Sequence, residues 1–151
     1  MKTNGIRILD KKNQIVCVKL QDILEEIVNG EQFYWSILFF YGTGNLRDDK
    51  SIPVFEDEVR KLERGMLIKW DALNLLAGTL DQVVDMLIIA SKDLQLISRY
   101  KNDIEMYEAC DIVVEMVDSS YWEVFSRDEG LVGRLAAKFK DTKFLTPDFK
   151  K

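Results

Sequence analysis

Histidine is missing from all 151 positions. That omission decides most of what chemistry these residues can do. It removes Ser-His-Asp and Cys-His nucleophiles, HExxH zinc sites and most first-row metal sites at once. Catalysis without histidine needs paired carboxylates, an activated lysine, or a cysteine of depressed pKa. The carboxylates on or beside apolar, strand-like segments are Asp81, Asp85, Glu115 and Asp118. A close pair could hold a metal or move a proton, but these four show no DxD or ExxE spacing. The ordinary reading is structural: a carboxylate inside an apolar strand needs a partner such as Lys69 or Arg99. Cys17 and Cys110 have no CxxC mate and read as buried free thiols. Gly42-Thr43-Gly44-Asn45 follows a strand, as phosphate-binding loops do. The GxxxxGK[ST] and GxGxxG patterns are both missing, and Asp48 and Asp49 would repel phosphate. A plain surface loop is the ordinary reading. We therefore expect no catalytic residue, no cofactor and no metal.

The elements that would carry these residues follow from hydrophobic periodicity. Arg7 to Asp10 and Ile15 to Lys19 flank a polar turn and read as two strands. Gln21 to Val28 has one apolar face and is stopped by Asn29-Gly30. Phe33 to Tyr41 is aromatic and nearly all apolar, which predicts a strand covered on both faces. Gly42 to Ser51 reads as an exposed loop. Pro53 suits a first helical turn; Phe55, Val59 and Leu62 then recur at helical spacing, up to a stop at Gly65. Met66 to Trp70 predicts a short strand, and Asp71 would cap a helix through Leu80. Val83 to Ala90 is a second apolar strand, broken by Asp85. Lys101 to Glu108 predicts a helix, and Ile112 to Val117 a third strong strand. Asp118-Ser119-Ser120 turns into Tyr121 to Phe125, a hairpin. Ser126 and Glu129 fit a capping box ahead of a helix marked by Leu131, Leu135 and Phe139.

The pattern predicts an α/β (α+β) fold: one domain over residues 1–145, a mixed β-sheet with packed helices, and a C-terminal β-hairpin plus helix. Residues 146–151, with Pro147 and two terminal lysines, are expected to form a frayed tail. The longest apolar runs, Ile37 to Tyr41 and Met86 to Ala90, are far too short to cross a bilayer. A charged N-terminal stretch through Lys12 lacks a signal-peptide core, so a cytoplasmic location is expected.

The net charge is −5. That balance disfavours nucleic acid as a partner and suits a basic protein partner. Acidic clusters occur at Asp48-Asp49, at Glu56-Asp57-Glu58 and at Asp128-Glu129; a solvated surface is their ordinary reading. Of the large aromatics Tyr34, Trp35, Trp70, Tyr121 and Trp122, Trp122 follows a turn and is the one expected to be partly exposed.

The segment from Cys110 through Asp118-Ser119-Ser120-Tyr121-Trp122 to Ser126, with Asp128-Glu129 and the helix through Phe139, resembles a known pattern. It is similar to the C-terminal part of bacterial immunity proteins of the polymorphic-toxin and contact-dependent growth-inhibition type. There, a strand ending in Asp-Ser leads through an aromatic-Trp turn to a second strand and a last amphipathic helix. The resemblance covers the last quarter of the chain. It implies a cytoplasmic antidote, not an enzyme, that occludes the active site of one cognate toxin domain, which could be a nuclease. Such a partner would be basic. The contacts expected on that reading are Asp48, Asp49, Glu56, Asp57 and Glu58 beside the long loop, with Trp122 as aromatic anchor. The rival expectations are a non-catalytic adaptor or regulatory binding module and a histidine-independent enzyme using carboxylates or Cys110. Neither nucleic acid nor a membrane is expected as a partner, and oligomeric state is not readable.

Overall fold

The computed structural model describes residues 4–46 and 51–146. These residues form nine strands and five α-helices. In order they are β1 Asn4–Ile8, β2 Lys11–Lys12, β3 Ile15–Val16, α1 Leu20–Leu24, β4 Tyr34–Gly44, α2 Ile52–Lys61, β5 Met66–Ile68, α3 Trp70–Ala77, β6 Leu80–Ser91, α4 Asp103–Ala109, β7 Ile112–Val117, β8 Tyr121–Ser126, α5 Glu129–Lys138 and β9 Thr142–Leu145. Seven strands make one sheet in the order β5-β4-β6-β7-β8-β1-β9. The small β2–β3 hairpin stands apart.

The α+β composition and the C-terminal hairpin-plus-helix are as expected. Every strand pairing among the described residues is antiparallel, where a mixed sheet was anticipated. The reason is that β4 and β6 run the full length of the sheet and β6, β7 and β8 follow as a meander. Helices α2 and α4 are excursions between antiparallel neighbours, while α3 (β5 to β6) and α5 (β8 to β9) each cross over one intervening strand, so no two parallel strands lie side by side.

Alternation along each strand sends side chains to two faces. On the first face lie Ile6, Ile8, Trp35, Ile37, Phe40, Met86, Ile88, Val114, Trp122 and Val124, all buried. Helices α1, α2, α3 and α5 close that face through Ile23, Leu24, Phe55, Val59, Leu73, Leu131 and Leu135. The second face carries a smaller cluster. There Met106 and Tyr107 of α4, with Ile97, pack on Leu38, Ile89, Val113 and Phe125.

Several boundaries moved for local reasons. Helix α1 ends at Leu24 with Glu25 as its cap, short of the expected Val28, and Asn29, at φ 55°, instead precedes the 3₁₀ turn Gly30–Gln32. Gly30 is needed because a Cβ there would lie 2.3 Å from the Trp70 indole. Lys69, not Asp71, precedes the first turn of α3, and Leu80 opens β6. Ser126 is still a strand residue, so Asp128 caps α5 by accepting from Gly130 N–H at 2.9 Å. Ser126 Oγ accepts instead from Asp128 N–H. Residues 142–145 form an edge strand on β1. Of the expected tail, residues 147–151 lie outside the described part of the chain.

Arginines hold the excursions in place. Arg99 donates to the carbonyls of Leu38 and Val59, both at 2.6 Å, and of Leu62. Arg64 donates to Ile97 O, Arg127 to Cys110 O and Glu108 O, and Arg134 to Glu26 O. Val59, Glu108 and Glu26 lie in the last turn of a helix or just beyond it, where carbonyls lack intrahelical partners.

Candidate interaction surface

The four carboxylates singled out from sequence do not converge. Asp85 Oδ1 accepts the backbone N–H of Asp118 at 2.8 Å. Together with Ser119 N–H donating to Val84 O, this fastens the β7–β8 turn, whose Asp118 and Ser119 both take positive φ. Asp118 is exposed, and so is Asp81, at the start of β6. The anticipated partner Arg99 is spent on carbonyls. Among the described residues no group of three or more His, Cys, Asp or Glu could hold a metal ion.

The thiols divide. Cys17 is exposed, contrary to expectation, because it lies on the small hairpin's return and not in the main sheet. Cys110 is buried, and burial pushes its thiol up to about 12; Asp111 adds to the effect and Arg127 opposes it. A thiol held protonated is a poor nucleophile at neutral pH. The Gly42–Gly44 segment is no loop but the end of β4, with irregular register against β6. A Cβ at Gly42 would sit 2.3 Å from Gln82 O, and one at Gly44 2.6 Å from Thr79 O. Glycine is needed there for backbone approach, which leaves no open cradle for phosphate.

The proposed contact residues scatter as well. Trp122 is 1% exposed and its indole N–H donates to Val18 O at 2.8 Å. It belongs to the first-face core, which corrects its assignment as a partly exposed anchor. Strand alternation fixes this: Tyr121 and Glu123 face one way, Trp122 and Val124 the other. On α2, Glu56 accepts the Gly42 N–H at 3.2 Å. Asp57 pairs with Lys61 at 2.7 Å and with Arg60. Those contacts, led by the Lys61 hydrogen bond, hold the Asp57 carboxyl below its ordinary range. Glu58 is half-buried on the same helix. Of the acidic triplet, Asp57 carries its own counter-charges and Glu56 is engaged by backbone. Asp48 and Asp49 lie outside the described residues.

What sequence reasoning missed is on the second face. Helix α4 and Ile97 cover only the half of it around Leu38, Ile89, Val113 and Phe125. Two rows of side chains run across the remaining half. One is Phe39, Leu87, Glu115, Glu123, Arg7 and Lys143, and the other is Tyr41, Asp85, Val117 and Tyr121. Phe39 is 45% and Tyr41 54% exposed, while Leu87, Val117 and Tyr121 are half-buried. Glu123 is fully buried, and Arg7 reaches it from β1 with Nε at 2.7 Å and Nη2 at 2.6 Å. The Arg7 guanidinium also lies 4.3 Å above the Tyr121 ring centre. Tyr107, stacked on Phe125 at 3.9 Å, borders this region. Burial, then the neighbouring Glu115, raises its hydroxyl pKa above the ordinary tyrosine value. The alternation Tyr121-x-Glu123-x-Phe125 against Trp122-x-Val124 was the available signal: it puts a carboxylate and an aromatic on one face and only apolar groups on the other.

Two grooves lie elsewhere. One of about 380 Å³ runs between the β2–β3 hairpin, α3 and the start of β6, floored by Met116 and Trp122. Another of about 370 Å³ is bounded by Phe33, Lys92, Arg127 and Arg134. Of its arginines, Arg127 and Arg134 are committed to backbone carbonyls. Among the described residues no helix is long and apolar enough to cross a membrane. Compared with family models, with curated proteins and with solved structures, the chain matches none.

Proposed function

We propose that this chain is a protein-binding module and, in its narrower form, a cytoplasmic immunity protein. On that reading it neutralises a cognate toxin domain, such as a nuclease, by occluding its active site. The observation that carries the proposal is the half-bare second face. Phe39 and Tyr41 stand about half exposed beside Leu87 and Val117, on a sheet whose other face carries the main core. Aromatic side chains held rigid by a sheet are the kind that anchor protein interfaces, since little side-chain entropy is lost on docking. Carboxylates set among them, and the net charge of −5, suit a partner with a basic surface. The resemblance of residues 110–139 to immunity proteins supplies the narrower form. The contact surface moves accordingly from the α2 acids and Trp122 to the second face.

A growth-rescue assay tests the proposal. The C-terminal domain encoded next to this chain is expressed with and without it, and co-purification is scored. Rescue together with a co-purifying pair is the expected result. Toxicity without rescue sinks the immunity form. A partner captured without any toxicity would instead favour an adaptor.

A further inference from the structure

The second face contains two settings in which an aromatic ring and a carboxylate stand side by side. In the first, Tyr121 and Glu123 alternate on β8, and the protein fills the setting itself: Arg7 stacks its guanidinium 4.3 Å above the Tyr121 ring while binding Glu123 at 2.6 Å. In the second, Tyr41 and Asp85 are register partners on β4 and β6, with Phe39 and Leu87 as the next pair along. Here Tyr41 is 54% exposed, and among the described residues no lysine or arginine pairs with Asp85 or lies over the Tyr41 ring.

We propose that Tyr41 and Asp85 form a seat for an arginine side chain of a basic partner protein. The incoming guanidinium would stack on Tyr41 and bond the Asp85 carboxylate as Arg7 does with Tyr121 and Glu123. The proposal rests on the protein-binding reading and names the partner chemistry of that surface. Charge complementarity supports the choice: the basic groups described on this half-face, Arg7 and Lys143, lie on β1 and β9 at its far side. The β4–β6–β7 side presents Asp85 and Glu115 among apolar and aromatic groups. Geometry favours arginine over lysine, because only a planar guanidinium can lie on the ring and hydrogen-bond in its own plane at once. Asp85 keeps this capacity while serving its turn, since the Asp118 N–H engages Oδ1.

The test titrates hexa-arginine and hexa-lysine amides into isotope-labelled protein at low salt and follows backbone amide shifts and affinity. Three variants are compared: Tyr41→Ala, Asp85→Asn, and Asp57→Asn on α2 as an equal change of charge elsewhere. Asp85→Asn retains an oxygen for the Asp118 N–H, and Tyr41 is exposed, so both variants should keep the native spectrum. The expected result is shifts centred on residues 39–41 and 85–87. Hexa-arginine should bind at least about fivefold more weakly to Tyr41→Ala and Asp85→Asn, and be nearly unaffected by Asp57→Asn. Equal weakening by Asp57→Asn, shifts centred elsewhere, or equal binding of hexa-lysine would overturn the seat. A toxin domain captured equally well by wild type and by both seat variants would reject the seat but leave the protein-binding reading intact. Peptide binding as expected without any captured protein partner would do the reverse.

Discussion

The two faces of the sheet are built from the same strands yet answer to different constraints. On the first face Ile6, Ile8, Trp35, Ile37, Val114 and Val124 are buried in one cluster with residues of four helices, and Phe144 at the β9 edge stays exposed. On the second, one short helix covers half the area, and the chain sets charge and aromatic surface on the rest. The first face is where burial of apolar area stabilises the fold. On the second, the exposed Phe39 and Tyr41 can be replaced at little cost to the fold, which is what the proposed recognition surface requires. The contrast teaches that alternation within a single strand such as β8 can serve core and surface at once.

The largest expected effect breaks the first face. Trp122→Ala removes a buried indole and leaves Val18 O without its donor. It should cost about 3–5 kcal/mol by urea denaturation. Tyr41→Ala on the second face should stay within about 0.5 kcal/mol by the same measurement. A Tyr41→Ala penalty approaching that of Trp122→Ala would erase the distinction between the faces.

Between these extremes lies the internal ion pair. Arg7→Met leaves the buried Glu123 without its guanidinium, and we expect a loss of about 2–3 kcal/mol. That is below the cost of breaking a fully buried pair because the Arg7 side chain is 29% exposed. Arg7→Lys, which keeps a positive charge on β1, should lose less than Arg7→Met by the same measurement. Equal losses for the two variants would mean that charge is not what Arg7 supplies.

A smaller effect comes from alkaline pH. The folded Cys110 thiol titrates at about 12, against 9 for its ordinary value. Between those limits the folded chain keeps a proton that the unfolded chain loses. Stability is therefore fully present below about pH 9 and falls by about 1.4 kcal/mol per unit as pH rises above it. Tyr107 acts in the same direction from its own ordinary value upward. Cys110→Ala should flatten the slope just above pH 9; an unchanged slope there would remove the thiol from the account. The mildest expectation needs no mutation. A thiol reagent at neutral pH should label Cys17 promptly and Cys110 only after denaturant is added. Prompt labelling of both would mean that the second-face cluster opens readily.

Much of the fold was legible. The strands at Phe33–Tyr41, Val83–Ala90 and Ile112–Val117 announced themselves as apolar runs, although the expected two-sided cover of the first is incomplete, with Tyr34, Phe39 and Tyr41 exposed. The turn at Asp118-Ser119 was legible from residue types that tolerate a left-handed backbone. Strand order was not, since pairing joins residues far apart, as in Arg7 with Glu123. The cap of α5 was misplaced because a Ser-x-x-Glu pattern carries no information on whether its serine is already committed to a strand. Trp122 was misread because proximity to a turn was weighed above alternation. The contact residues were sought in acidic clusters. In a helix such as α2 those clusters come with lysines and arginines one turn away, which neutralise them locally.

The position of β1 between β8 and β9 bears on how the molecule assembles. Asn4 is matched with Ser126 and Gly5 with Leu145, so β1 has no partner until more than a hundred later residues have followed it. Ile6 and Ile8, both fully buried at the end, must wait exposed through that interval. Such distant closure slows folding and lengthens the time during which a nascent chain is vulnerable to aggregation. The hairpins of β6, β7 and β8 form from near neighbours, and they are the natural template on which the waiting strand is finally captured.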